Sequence, residues 1–258
     1  MLSKIRKIIS KKNKSKIVCL TAYSKNVAEE LDKYVDLILV GDSLGSVLYN
    51  YKSTRNVTLD TMVEHSKSVR LGIKKSLMIV DMPYKTYRNK KDALKNCKKI
   101  VKETKCDGVK LEGGLKIKNI VNHLTNNRIP VMGHIGILPQ LVRGKFKSKG
   151  KSEKEKKQLI KDAIILEKSG CFGIVLECIE KNLSNKITKL INIPTIGIGS
   201  SNYCDGQILV TDDLLGLTNS KIKFVKKYVD LKKYIRKGVK KYKSEVINNK
   251  YPSKNYSY

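Results

Sequence analysis

The chain has no apolar run approaching the roughly 18 unbroken residues of a membrane-spanning helix, so the sequence gives no sign of a helical membrane protein. Its basic N-terminus, MLSKIRKIISKKNKSK, has no apolar h-region and does not read as a secretory signal. Ile5, Ile8 and Ile9 recur there at helical spacing and point to a short helix packed on the domain. The six cysteines (Cys19, Cys97, Cys106, Cys171, Cys178 and Cys204) include no CxxC pair and no zinc-ligand spacing. Several lie in or beside strand-like runs, where a reduced Cys behaves as a small hydrophobe. The reading is a reducing, cytoplasmic compartment without disulfides.

Arginine is scarce, which decides how the charge of +31 is read. Of 54 basic residues only seven are Arg, and the rest are Lys spread along almost every helix-like segment. Reading phosphates and bases favours the bidentate Arg fork. Dispersed Lys, with frequent Asn, Ile and Tyr, fits solvated faces encoded by an A/T-rich gene. The expectation is therefore no specific nucleic-acid partner and no membrane partner. The densest candidate, Phe224 to Tyr242, carries Tyr228, Leu231, Ile235 and Tyr242 at helical spacing and reads as an amphipathic packing helix.

What the chain does have is four apolar runs that each end on a carboxylate: VDLILVGDS at Asp42 and Ser43, SLMIVDMP at Asp81, DGVKLEGG at Glu112 and FGIVLEC at Glu177. A fifth, IPVMGHIG, carries His134. Short Val/Ile/Leu runs bounded by Gly or Pro read as parallel strands buried on both faces. A buried carboxylate is costly unless it is paired, protonated or metal-bound. Four at equivalent strand ends indicate delivery to one site, which in a closed parallel barrel is the C-terminal rim.

The organisation agrees. Strand-like runs fall at 17–22, 35–41, 76–81, 107–112, 129–134, 172–177 and 194–199, with a weaker one at 207–210. Helix-like segments lie between them at 24–34, 58–71, 91–104, 115–126, 152–169 and 180–191, with capping signals at Thr58 and Asn89. This alternation predicts an α/β fold, a single (β/α)8 TIM barrel over residues 1–258 with a short N-terminal helix, close to the about 250 residues typical of that fold. The tail at 252–258 is expected to be disordered. Two connections are long, 43–57 and 138–151, and the second, polar and Gly-punctuated, reads as a lid.

Alternation refines the site. In Val109-Lys110-Leu111-Glu112 the polar pair shares one face, so Lys110 and Glu112 point into the barrel if the apolar pair meets the helices. Lys110 is then a counter-ion for buried acids or a clamp for an anionic substrate. Asp42, Asp81 and Glu112 form an oxygen-rich set suited to Mg2+, which usually takes one or two carboxylates plus waters and substrate oxygens. His134 suits an acid, a base or a hydrogen-bond donor. His65 and His123 carry no comparable signal.

The blocks LVGDSLG (39–45), STRNVTLDTMVEHSKSVR (53–70), VDMPY (80–84), VKLEGG (109–114), VMGHIGILPQ (131–140), VLEC (175–178) and IPTIGIGSSNYCDGQILVTDDLLGL (193–217) stand in order along almost the whole chain. With them the sequence closely resembles the ketopantoate hydroxymethyltransferase family. The resemblance implies a (β/α)8 barrel in a cytoplasmic homo-oligomer, a decamer. It implies transfer of a hydroxymethyl group from 5,10-methylenetetrahydrofolate to 3-methyl-2-oxobutanoate through a Mg2+-stabilised enolate, with one Mg2+ per subunit. It places the metal ligands on Asp42, Asp81 and Glu112, substrate contacts on Asp42, Ser43, Asp81 and Lys110, and the acid–base role on Glu177. Residues 46–52 (SVLYNYK), 141–151 and Asp212 depart from the family pattern, and all lie outside that set. Two other readings compete: a Mg2+-enolate lyase or mutase of the phosphoenolpyruvate mutase and isocitrate lyase type, and a non-catalytic basic RNA-associated protein.

Overall fold

Strands buried on both faces cannot follow one another by tight turns, because a parallel partner needs a crossover that also covers the sheet. The computed structural model, which describes residues 2–142 and 147–258, joins eight parallel strands in this way, with helices in every link except that from the seventh strand to the eighth. The strands are β1 (Ile17–Thr21), β2 (Leu37–Val40), β3 (Leu77–Asp81), β4 (Gly108–Glu112), β5 (Val131–Gly136), β6 (Gly173–Glu177), β7 (Thr195–Ile198) and β8 (Gly206–Leu209). They pair in parallel in chain order, and β8 returns to β1 to close the barrel. The helices of this part are α1 (Leu2–Ser10), α2 (Lys25–Leu31), α3 (Leu44–Val47), α4 (Leu59–Gly72), α5 (Lys90–Thr104), α6 (Lys118–Asn126), α7 (Glu153–Lys168) and α8 (Lys181–Leu190). Thr58, Asn89 and Ser152 cap α4, α5 and α7 by accepting from the N–H of Thr61, Asp92 and Glu155. Each such cap is worth about 1 kcal/mol.

Alternation along the strands divides the core in two. Ile38, Val40, Met78, Val80, Val109, Leu111, Ile174 and Leu176 face outward into a shell shared with helix residues such as Met62, Ile100 and Leu166. Leu37, Leu39, Leu77, Ile79, Met132, Val175 and Ile196 fill the barrel interior. Ile5 and Ile8 of α1 join that interior cluster beside Ile17, Leu37 and Leu77, each the first residue of its strand. The N-terminal helix therefore plugs the end of the barrel where the strands begin. Ile9, expected to pack with them, is exposed because it lies about 100° round the helix from Ile8. Ile8→Ala is expected to lower stability by roughly 2–5 kcal/mol, the range for deleting a buried Ile side chain. A urea midpoint equal to that of the parent would show that the plug is not needed.

The chain divides into two compact units, Met1–Val210 and Thr211–Tyr258. The second contains α9 (Thr211–Leu214) and α10 (Leu231–Ile247). The amphipathic helix expected over Phe224–Tyr242 thus begins only at Leu231, and none of its residues is buried, so the packing face read from its pattern is not covered within this unit. After Pro252, where the sequence suggests disorder, Lys254–Tyr256 form a 3-10 turn, with Tyr256 6.2 Å from Tyr251. The lid expected of 138–151 falls partly outside the described residues, which omit 143–146.

Candidate active site

Strand register brings the sequence-identified side chains to one end of the barrel. Asp81 lies level with Lys110 across β3 and β4, Glu112 with His134 across β4 and β5, and Gly136 with Glu177 across β5 and β6. Because Val109 and Leu111 face the helices, Lys110 and Glu112 point inward, where both are buried. Asp42 follows β2 after a single residue, Gly41, whose lack of a side chain leaves room for its polar neighbours. A Cβ at residue 41 would stand 2.8 Å from Ser43 Oγ and 3.6 Å from Asp81 Oδ2, so a side chain would intrude between the two polar groups. Gly136, at φ +102°, ends β5 where a Cβ would strike the Glu177 carbonyl oxygen at 2.2 Å.

These residues form one polar network. The Lys110 ammonium lies 3.0 Å from Asp81 Oδ1 and 3.1 Å from His134 Nδ1. Asp81 Oδ2 accepts the Asp42 backbone N–H at 3.1 Å. Asp42 Oδ2 accepts from the Gln140 amide at 2.8 Å, and Glu112 Oε2 accepts the Gln140 backbone N–H at 3.1 Å. His134 Nδ1 is 3.6 Å from Glu112 Oε1, and its Nε2 is 3.2 Å from Glu177 Oε2. Ser43 sits at the edge of the network, its hydroxyl 2.8 Å from that of Tyr23.

Burial sets the proton affinities. It raises the Asp42 carboxyl to about 7, with further repulsion from Asp81, against the pull of Lys110 and the Gln140 donor. Burial likewise raises Glu177 to about 7, offset only by Lys110, and raises Glu112 well above the ordinary range. Burial would lower Lys110, but Asp81, Glu112 and Asp42 outweigh it and keep the ammonium charged. His134 is pushed well below its usual value by burial and by Lys110, so its ring is neutral. An ammonium can only donate, so His134 Nδ1 accepts and the ring proton sits on Nε2, the nitrogen nearest Glu177.

The donor set suits a hard divalent cation. Four carboxylates against one ammonium leave three negative charges if all ionise, and a divalent ion would cancel two of them. Asp81 Oδ1 is buried and, despite its ion pair with Lys110, receives no well-directed hydrogen bond. Such an oxygen is a natural ligand for an ion that prefers carboxylates and water. Among the described residues no group of three or more His, Cys, Asp or Glu is gathered closely enough to cage a metal unaided.

Several participants carry no obvious sequence signal. Gln140, 2% exposed, closes the VMGHIGILPQ block and touches both Asp42 and Glu112. His65 donates from Nδ1 to the Tyr23 carbonyl at 2.7 Å, and its Nε2 lies 2.8 Å from the Tyr49 hydroxyl, which ties the departing 46–52 loop to the residue that holds Ser43. Among the lysines, Lys110 is buried and Lys12 is nearly so against Asp205, while most of the others face solvent. Among the described residues no helix is long and apolar enough to cross a membrane.

The family model for ketopantoate hydroxymethyltransferase matches residues 3–254. The chain is 57% identical over all of its length to a curated relative of equal extent, the 3-methyl-2-oxobutanoate hydroxymethyltransferase of Pelagibacter ubique. It is 44% identical to the proteins of that name from Rhizobium etli, over 98% of this chain and 94% of the relative, and from Helicobacter pylori, over 96% and 93%. Among solved structures it is similar to a phosphonopyruvate hydrolase crystallised with oxalate and Mg++, at TM-score 0.61 and 10% identity over 80% of each chain. A 2,3-dimethylmalate lyase matches at TM-score 0.56 and 12% identity over 76% of this chain and 70% of the other. At such identities the likeness is one of fold.

Proposed function

Since the chain belongs to the ketopantoate hydroxymethyltransferase family, we propose that it transfers a hydroxymethyl group from 5,10-methylenetetrahydrofolate to 3-methyl-2-oxobutanoate, with Mg2+ at the barrel rim. The observation that carries this reading is the single network joining Asp42, Asp81, Lys110, Glu112, His134 and Glu177. A 2-oxo acid brings an anionic carboxylate beside a ketone, and this network offers both a fixed cation and sites for a second one.

In this reading Asp42 and Asp81 hold the ion, with Glu112 completing the shell directly or through water. When bound, Mg2+ supplies Lewis-acid stabilisation of charge developing on the keto oxygen. Lys110, held charged by its carboxylate neighbours, pairs with the anionic end of the substrate, and the Ser43 hydroxyl donates to it. Glu177, raised to about 7 and less buried than the deeper acids, takes the C3 proton or serves the folate nitrogen. Lys110 favours the ionised form of Glu177 against burial. The new bond joins substrate C3 to the folate methylene carbon. Both C–N bonds of the methylene carbon break, water supplies the hydroxyl oxygen, and the C3 proton and one proton of that water end on the two folate nitrogens as tetrahydrofolate leaves.

The test is turnover of 3-methyl-2-oxobutanoate with methylenetetrahydrofolate, with and without Mg2+. Product that forms only when all three are present is the expected result. Mg2+-dependent cleavage of 2-oxo or 2-hydroxy acids without folate would instead favour the lyase or mutase reading, which has the shared barrel alone behind it. The same reading assigns a cytoplasmic homo-oligomer, decameric by family resemblance, and sedimentation velocity checks its size.

A further inference from the structure

Gln140 uses every polar atom it has. Its side-chain nitrogen lies 2.8 Å from Asp42 Oδ2 and 2.9 Å from the Met82 carbonyl oxygen. Its side-chain oxygen accepts from the Tyr87 hydroxyl at 2.7 Å. Its backbone N–H donates to Glu112 Oε2 at 3.1 Å, and its carbonyl accepts from Arg55 Nε at 2.7 Å. The Arg55 guanidinium in turn lies 4.9 Å over the Tyr84 ring. The connections that follow β2, β3 and β5 thus meet at one buried residue.

The orientation of the amide is fixed by chemistry. The Met82 carbonyl oxygen can only accept, so the NH2 group must face it, and the same group reaches Asp42. The oxygen is left for Tyr87, whose hydroxyl must then donate. A carboxylate turns easily about its last torsion unless one oxygen is held. Gln140 holds Asp42 Oδ2 by its side chain and Glu112 Oε2 by its backbone, so Asp42 Oδ1 and Glu112 Oε1, the latter 3.6 Å from His134 Nδ1, are the oxygens it does not engage. It does so without charge: a Lys in its place would cancel the field that draws a cation, and a carboxylate would add repulsion to a crowded cluster.

We infer that Gln140 is a positioning residue that selects which oxygens of Asp42 and Glu112 face the divalent cation. This rests on the metal reading given under Proposed function. In Gln140→Met the volume and both backbone contacts remain, while the amide is lost. With Mn2+ as probe, followed by electron paramagnetic resonance on the intact protein, the variant should bind roughly 10–100-fold more weakly, the usual loss when an outer-shell partner of a metal ligand is removed. The spectrum of the bound ion should also change. A packing role alone leaves Mn2+ affinity and spectrum as in the parent, and that result would overturn the inference. Tyr87→Phe covers the case in which Gln140→Met does not fold. It removes the hydroxyl that donates to the amide oxygen at 2.7 Å, along with its longer 3.5 Å contact to the Glu112 carbonyl, and should weaken Mn2+ in the same direction by a smaller factor, whereas unaltered binding there counts equally against the idea. The parent protein is the control for the underlying reading: if it binds no Mn2+, the metal assignment fails, whatever the variants do.

Discussion

Asp81→Asn is expected to abolish Mg2+-dependent turnover while leaving a folded barrel. Asp81 is 3% exposed, pairs with Lys110 at 3.0 Å through one oxygen and accepts the Asp42 N–H at 3.1 Å through the other. An amide cannot satisfy both donors, because whichever way it turns its NH2 meets either the ammonium or the backbone N–H. Breaking a buried ion pair from one side typically costs about 3–5 kcal/mol. The cost here should fall at the lower end, since Glu112 and Asp42 still surround Lys110. Removing the Asp81 charge also removes a repulsion that raises Asp42, so the Asp42 carboxyl should become more acidic in the variant. Mg2+ affinity should fall by more than the roughly 10–100-fold associated with losing an outer-shell partner. Calorimetric Mg2+ titration and thermal melting without metal separate the two effects. Parental turnover with parental Mg2+ affinity would take Asp81 out of the metal site.

The barrel was legible because strands such as β2, β3 and β4 are buried on both faces and so appear as near-continuous apolar runs, which need no long-range information to recognise, whereas β1 and β8 expose Val18 and Gln207. Lys110 and Glu112 were legible for a related reason: two polar residues at period two inside such a run must point the opposite way from Val109 and Leu111. Helix faces were less secure. Ile9 belongs to the same apolar cluster in the sequence as Ile8, yet one residue of helical rotation exposes it. Over Phe224–Tyr242 the pattern named an amphipathic segment but could not say what would cover it. Gln140 closes the VMGHIGILPQ block, but its role was not legible, because its side-chain partners stand 53 to 98 positions away and an uncharged amide in a loop has no local signature. His65 was passed over for the same reason, since its partners come from two other segments.

Glu177→Gln is expected to lower turnover by roughly 10²–10⁴-fold, the range for losing a positioned acid or base, with Mg2+ and keto-acid binding little changed. The amide keeps the shape beside His134 Nε2, 3.2 Å from the carboxylate in the parent, but it cannot take up a proton. In the parent, a base must be ionised to act. Its carboxyl is raised from 4.5 to about 7, so turnover should decline as pH falls below about 7, and this decline should be missing from the residual rate of the variant. Stability gives an independent check with the opposite sign. A folded-state value above the unfolded one means that the folded protein binds the proton more tightly. The contribution of Glu177 to stability is therefore complete below about 4.5 and lost as pH rises through about 7. The side chain is 15% exposed, so about 3 kcal/mol is an upper bound on that loss. Gln does not titrate in this range, so the variant should melt at or above the parent at pH 8 and lose that advantage near pH 4.5. Deuterium wash-out from C3 of 3-methyl-2-oxobutanoate, measured without folate, then locates the step. Lost exchange assigns Glu177 to C3 deprotonation, whereas normal exchange with lost product moves it to the folate side. Parental turnover in the Gln variant would leave the carboxyl at this strand end without a chemical role, and its raised proton affinity would be a consequence of burial alone.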